Sequence, residues 1–127
     1  MTTVSDFQFI EDLHLIRYRG DSGKLFFLEQ PYRVFFRLDS VPEIYTVPAG
    51  TWTDFASIPR GVQNIVQVLG PHIEAAVVHD RLCQDRKPWS SRVAADIFLA
   101  GMTAAEVPLI RRNLMYRAVV MFGPQWD

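Results

Sequence analysis

The sequence has little of several features that mark common protein classes. It contains a single cysteine, Cys83, in 127 residues, which excludes an intramolecular disulfide framework. Its 13 basic and 14 acidic residues nearly cancel and form no basic stripe, so the charge pattern does not favour a nucleic-acid partner. No apolar run approaches the roughly 18 residues of a transmembrane helix, and the first residues do not resemble a signal peptide. We therefore expect a soluble protein that folds in a reducing compartment.

The first part of the chain is rich in aromatic and β-branched residues. A length of 127 residues is enough for one domain, and we expect a single domain over residues 1–127. Short apolar runs separated by turn signals predict four or five strands within residues 1–50, at 7–10, 14–19, 25–28, 32–38 and 44–47. Residues 20–23 and 39–42 are the best hairpin connections, because Gly, Asp, Ser and Pro supply the required turn conformations.

In residues 51–127 the apolar residues recur every three or four positions, as they do in helices. Apolar stripes with start and stop signals predict helices over residues 57–69, 73–82, 91–105 and 108–122. Ser90 or Ser91 can cap the third of these helices, and Pro108 opens the fourth, which ends at Gly123. Strands first and helices afterwards predict an α+β fold, with a small antiparallel N-terminal sheet packed against about four C-terminal helices.

Four polar residues are candidates for chemistry: Asp54, His79, Asp80 and Asp96. His79 and Asp80 lie on an apolar helix, where an unpaired buried carboxylate costs on the order of several kcal/mol, so Asp80 should meet a cation, a metal or backbone donors unless the pair faces solvent. A histidine oriented by Asp96 would make a general base, and a nearby carboxylate can hold a cation. The simpler alternatives are that Asp54 caps a helix and that Asp96 pairs with Arg92.

Cys83 lies four residues after His79, on the same face of the predicted helix. A Cys/His nucleophile pair is geometrically possible at this spacing. The alternative, which we favour, is a buried thiol that fills space in the core. The two residues are too few for a structural zinc site, which normally has four ligands.

Four stretches carry a family resemblance: VPAG at 47–50, TDFASIPR at 53–60, AAVVHD at 75–80 and SRVAADIF at 91–98. Together they resemble the phage and prophage domain of unknown function numbered 1353, over nearly the whole chain. The resemblance implies a viral or prophage origin and no established activity. It also implies a location in the host cytoplasm or, as the alternative, in the virion. The chain departs from the family pattern at Leu82-Cys83, where an aromatic residue is usual.

A second resemblance concerns mechanism. An Asp-containing loop, a His-Asp helix and a further helix with an aspartate are similar in order to prokaryotic secreted phospholipase A(2). This resemblance implies that His79 is the general base, that Asp96 orients it, and that Asp80, with Asp54 as a loose match, binds Ca²⁺. The glycine-rich calcium loop of that family is missing from this sequence.

Two functions from different classes therefore remain open. The first is a phage accessory protein whose His79, Asp80 and Asp96 form a small hydrolytic or cation-binding site for an ester or lipid substrate. The second is a non-enzymatic phage protein that binds a virion or host protein, with the same residues as a structural network. A pocket with His79 at its floor and Asp96 within hydrogen-bond reach would favour chemistry. Full enclosure of the histidine by side chains would favour the structural role.

Overall fold

The computed structural model describes residues 2–18, 25–53 and 71–127, which hold six strands and three helices. The strands are β1 (Val4–Phe9), β2 (Leu15–Tyr18), β3 (Leu25–Leu28), β4 (Tyr32–Leu38), β5 (Val41–Val47) and β6 (Trp52–Thr53). The helices are α1 (Ile73–Asp85), α2 (Ser91–Ala104) and α3 (Leu109–Phe122). The predicted α+β class is confirmed. The predicted helix over residues 57–69 lies outside the described residues. No helix within the described ranges is both long and apolar enough to cross a membrane.

The strands form two antiparallel sheets of three strands each, where the sequence predicted one sheet. Their strand orders are β1-β4-β5 and β2-β3-β6. Strand β6 was not predicted, because its two residues are too few to show an alternating pattern. It exists because Trp52 and Thr53 pair with Phe27 and Phe26 of β3, which are distant in sequence.

Asp39 and Ser40 form the tight turn between β4 and β5. Both have positive φ, at 50° and 69°, as a two-residue turn of the type favoured in hairpins requires. Leu38 and Val41 face each other directly across this turn. The hairpin predicted at residues 39–42 is therefore present, but its turn is limited to Asp39 and Ser40, and Val41 and Pro42 already belong to β5. The other predicted connection, at residues 20–23, lies outside the described residues.

The core lies where β4 meets the helices. Tyr32, Val34 and Phe36 alternate along β4 and are fully buried, so one face of this strand points inward. They belong to one apolar cluster with residues of α1 and α2, such as Val77 and Phe98. The helices thus cover the apolar face of the sheet, since neither layer can bury that face alone.

The helix ends follow the local signals of the sequence. The backbone N–H of Val93 donates to the Ser90 side chain at 3.3 Å, so Ser90 caps α2 as predicted. Pro108 precedes α3 and Gly123 follows it, also as predicted. Helices α1 and α2 pack closely at Gly101, where a Cβ atom would lie 2.9 Å from the Cβ of Ala75. A glycine at this position therefore lets the two helices approach.

Two tyrosines attach α1 to the β1-β4-β5 sheet. The hydroxyl of Tyr32 donates to Oε2 of Glu74 in the first turn of α1, at 2.6 Å. The hydroxyl of Tyr45 donates to Oδ2 of Asp85 in its last turn, at 3.2 Å. Burial first, and the neighbouring carboxylate second, raises the pKa of both phenols, so both stay protonated donors. These two bonds fix the helix that carries His79.

Candidate functional site

His79 is enclosed in the core between α1 and α2. Its side chain is 1% exposed, and its ring stacks on Phe98 of α2 with the ring centroids 4.9 Å apart and the planes inclined by 27°. Burial removes water from the charged imidazolium form and lowers the pKa of His79 to about 4. The imidazole is therefore neutral at physiological pH.

The thiol of Cys83 packs against the His79 ring from the next turn of α1. Its sulfur lies 3.8 Å from Nδ1 and 3.7 Å from Nε2. The sulfur is thus nearly equidistant from the two nitrogens, and both distances are within reach of a weak hydrogen bond to sulfur. Burial first, and the charge of Asp80 second, raises the pKa of Cys83 to about 12. The thiol thus stays protonated, and Cys83 is partly buried at the edge of the core, not enclosed in it as the space-filling interpretation expected.

Asp96 faces away from His79. Its Oδ1 atom accepts a hydrogen bond from the Tyr116 hydroxyl at 2.6 Å and lies 3.6 Å from Nε of Arg92. Within the described residues no hydrogen bond joins Asp96 to His79. The reason is helical geometry: His79 stacks on Phe98, and two residues along a helix correspond to a rotation of about 200°.

The orienting contact expected between Asp96 and His79 is therefore not formed in this structure. The ion pair with Arg92, which was the simpler interpretation of Asp96, is present. Tyr116 was not recognised as a partner, because nothing in the sequence indicates which side of α2 meets α3. The catalytic roles of His79 and Asp96 stay predictions.

Asp80 lies at the edge of the core, 7% exposed. Its Oδ2 atom accepts a hydrogen bond from the side-chain amide of Gln84 at 3.2 Å, and the same amide nitrogen donates to the backbone carbonyl of Trp52 at 2.8 Å. Asp54, the second residue predicted to bind Ca²⁺, lies outside the described residues. Over residues 2–18, 25–53 and 71–127, no group of three or more His, Cys, Asp or Glu side chains is arranged to hold a metal ion. The calcium site stays a prediction.

Further polar contacts extend from Asp80 along α1. Nε of Arg81 pairs with Oδ2 of Asp85 at 3.0 Å, and a terminal nitrogen of Arg81 donates to the Thr51 hydroxyl at 3.1 Å. The Thr51 hydroxyl in turn donates to the carbonyl of Pro48 at 2.7 Å. These contacts hold the segment between β5 and β6 against the helix. We call the following residues the α1 network: Tyr45, Thr51, Trp52, Asp80, Arg81, Gln84 and Asp85.

Sequence reasoning recognised only Asp80 among the α1 network residues. The pairs Asp80/Gln84 and Arg81/Asp85 have the spacing of four that lets side chains meet on a helix, so this part of the network was visible in the sequence. Their partners in the sheet region were not visible, because they are more than 25 residues away in the chain.

A groove of about 500 Å³ runs between β1 and α2. Its lining includes Asp6 and Asp96 together with hydroxyl groups such as that of Thr103. His79 and Asp80 are not part of its lining. This groove therefore does not bring the predicted base and its predicted orienting residue to one place.

Comparison with known proteins gives two matches. The family described as "Protein of unknown function (DUF1353)" matches residues 26–119. The uncharacterized protein y4jT of Sinorhizobium fredii is 38% identical over 87 residues, which are 65% of this chain and 25% of that protein. The chain thus corresponds to about a quarter of that relative's length. No solved structure matches it. Since the family match covers most of the sequence, including the motifs around His79 and Asp96, the chain belongs to the DUF1353 family of proteins of unknown function.

Proposed function

We propose that this chain is a non-enzymatic protein of phage or prophage origin that works by binding a protein partner, with His79 and Asp80 supporting the fold. The enclosure of His79 carries the proposal. A general base must reach the proton that it removes, either directly or through one water molecule. A ring that is 1% exposed and packed between Phe98 and Cys83 leaves no room for a substrate.

The electrostatics of His79 support the same conclusion. A general base is most effective when its pKa is near the working pH, and burial lowers the pKa of His79 to about 4. A catalytic histidine is also normally held in one tautomer by a hydrogen bond to its second nitrogen. Asp96, the residue expected to do this, is hydrogen bonded to Tyr116 instead.

The polar residues next to His79 have roles within the fold. Asp80 and Gln84 link α1 to β6, and Arg81 links it to Thr51. Asp80 and Thr51 are buried, and their hydrogen bonds to partly exposed partners help to specify how α1 packs on the segment between β5 and β6. Of the three residues in the second hypothesis, Asp80 belongs to the α1 network, His79 packs beside it in the core, and Asp96 bonds to Tyr116 on α3. Contacts of this kind support a role of the three residues in the fold.

The surface of the described residues supports partner binding. Several large apolar side chains are exposed: Ile10, Ile16, Val41, Ile44, Trp52, Leu109, Ile110, Leu114, Met121 and Phe122. Of these, Ile110, Leu114 and Met121 lie on one side of α3, and an exposed apolar patch commonly marks a site of protein association. The relative from Sinorhizobium fredii matches over a quarter of its own length, so in that protein the matched region lies beside further chain. Such an arrangement suits a binding module. The phage or prophage origin is supported by the sequence motifs.

The test compares the wild-type protein with His79→Met in two assays. In the first, phospholipid vesicles and a p-nitrophenyl ester are offered with and without Ca²⁺, and we expect no hydrolysis. In the second, the tagged protein is cross-linked in its source cells, and we expect the same cross-linked protein partner for both forms. Ester cleavage that is lost in His79→Met would overturn the proposal in favour of a hydrolytic site. A wild-type protein that cross-links to no partner would overturn it as well.

A further inference from the structure

The outer face of α3 carries an exposed row of three apolar side chains and one arginine. Ile110, Leu114, Arg117 and Met121 recur every three or four residues, which places them on one side of the helix. We call these four residues the α3 row. Ile110 is 83% exposed and Met121 is 67% exposed. The other side of the helix is buried through Met115, Ala118 and Val119. Helix α3 is therefore apolar on two sides, whereas a surface helix of a monomer normally has one apolar side.

The charge of α3 is entirely positive. The helix contains Arg111, Arg112 and Arg117 and no acidic residue. Arg112 donates to the backbone carbonyl of Val107 at 3.4 Å. Within the described ranges, neither Arg111 nor Arg117 forms an ion pair. The α3 row thus places Arg117 among exposed Ile, Leu and Met side chains, and in the part of the chain that the structure describes no carboxylate pairs with Arg117 or with the neighbouring Arg111.

We propose that the α3 row is the docking surface for an acidic amphipathic helix of a partner protein. This inference rests on the partner-binding function proposed above and identifies its surface. The apolar face of such a helix would cover Ile110, Leu114 and Met121, in the way that amphipathic helices occupy apolar surfaces. Its glutamates or aspartates would meet Arg117 and the neighbouring Arg111, which gives complementary charge at the contact.

Two other occupants fit the α3 row less well. A second copy of this chain, docked through the same face, would bring a second set of three arginines and no carboxylate from its α3. A lipid surface would receive the apolar side chains, but Arg117 lies between Leu114 and Met121 along the row, and its side chain would have to bend back toward the headgroups to keep the guanidinium hydrated. The carboxylates of an acidic helix would pair with the Arg117 guanidinium without displacing it from the row.

The experiment uses a designed helical peptide as the probe. The α3 row extends over about 16 Å, so a peptide of about 18 residues covers it. One fluorescent peptide has Leu at the heptad contact positions and Glu at the flanking positions, and its twin has Lys in place of Glu. Fluorescence anisotropy with the full chain should give at least tenfold tighter binding of the Glu peptide. This binding should weaken as salt is added.

Three variants locate the contact. Ile110→Ser should weaken binding of the Glu peptide about tenfold, because it removes the most exposed apolar side chain of the row. Arg117→Glu should weaken the Glu peptide and strengthen the Lys peptide. The matched control is Ile44→Ser on β5, where the isoleucine is 61% exposed outside α3, and it should bind as the wild type does.

Several results would overturn the inference. Equal binding of the two peptides, or an equal loss in Ile44→Ser and Ile110→Ser, would mean unspecific apolar adhesion. Binding to anionic phosphatidylglycerol vesicles that Ile110→Ser abolishes would identify a lipid surface as the occupant, and a dimer lost in the same variant would identify a second copy. If the Glu peptide does not bind while cross-linking still yields a partner, this inference fails and partner binding stands. If the protein hydrolyses an ester through His79 and still binds the Glu peptide, the non-enzymatic function proposed above is wrong and the docking surface on α3 stands.

Discussion

Replacing His79 by methionine should remove a loss of stability that the wild-type protein undergoes in mild acid. Burial lowers the pKa of His79 to about 4 in the folded chain, whereas the ordinary value, 6.5, applies to the unfolded chain. Between these two pH values the unfolded chain binds the proton more readily, so the free energy of unfolding decreases as the pH falls. Each unit of pKa difference corresponds to about 1.4 kcal/mol, and the loss therefore reaches about 3 kcal/mol near pH 4.

Methionine is the suitable replacement because it fills a similar volume and does not titrate. Its flexible side chain adapts to irregular space in a core, so His79→Met should cost less than about 1.5 kcal/mol at pH 7. His79→Ala would leave a cavity beside Phe98 and should cost about 2–5 kcal/mol at every pH. The alanine variant therefore measures how much the packing of the ring stabilises the fold. The methionine variant measures how much the protonation of the imidazole changes stability with pH.

The assay is urea denaturation followed by tryptophan fluorescence at a series of pH values from 7.5 to about 4.5. The difference between the wild type and His79→Met isolates the imidazole, because both proteins share every carboxylate. His14→Gln is the matched control, since the side chain of His14 is exposed, and this variant should follow the wild-type curve. If instead the free energy of unfolding changes with pH in His79→Met as it does in the wild type, the imidazole ring is solvated in the folded protein. In that case the structural role is refuted and His79 returns as a candidate base.

Four further predictions follow from the packing of the described residues. Tyr32→Phe should lower the free energy of unfolding by about 1–3 kcal/mol, because the Glu74 carboxylate loses its donor, and an unchanged melting temperature would contradict this. Gly101→Ala should cost about 1–3 kcal/mol in the same melt, because its Cβ would collide with α1. Cys83 should react with a disulfide reagent far more slowly in the folded than in the unfolded chain, and rapid native labelling would argue for an accessible thiolate. Calcium should leave the urea denaturation curve unchanged if Asp80 serves only the fold. A calcium site at one hundred times its Kd would instead raise the free energy of unfolding by about 2.7 kcal/mol, and Asp80→Asn would remove that gain.

The parts of the fold that could be predicted are those determined by local chemistry. The turn at Asp39 and Ser40 uses residue types that tolerate positive φ, and the runs on either side alternate in burial as strands do. Ser90 caps α2 through its own side chain, and Pro108 opens α3 because it needs no N–H donor partner there. Each of these signals acts within a few residues.

The parts of the fold that could not be predicted depend on which faces of the helices pack against each other. The sequence put His79 and Asp96 on consecutive helices, and this was correct. Whether their side chains meet depends on the rotation of α2 about its axis, which is set by the packing of Phe98 against His79 and of Tyr116 near Asp96. A residue that can lie on either side of a packed helix cannot be assigned a partner from spacing alone.

Helices α1 and α3 depart from the amphipathic pattern in opposite directions, and the difference supports a binding role for α3. In α1 the departure is a buried polar pair, and the chain compensates for it internally: His79 is neutral and stacked, and Asp80 accepts a hydrogen bond from Gln84. In α3 the departure is an exposed apolar row, and within the described residues no side chain covers Ile110 or Met121. Departures from the folding pattern that have no internal compensation are expected at functional surfaces. The α3 row, rather than the His-Asp pair, therefore meets this criterion.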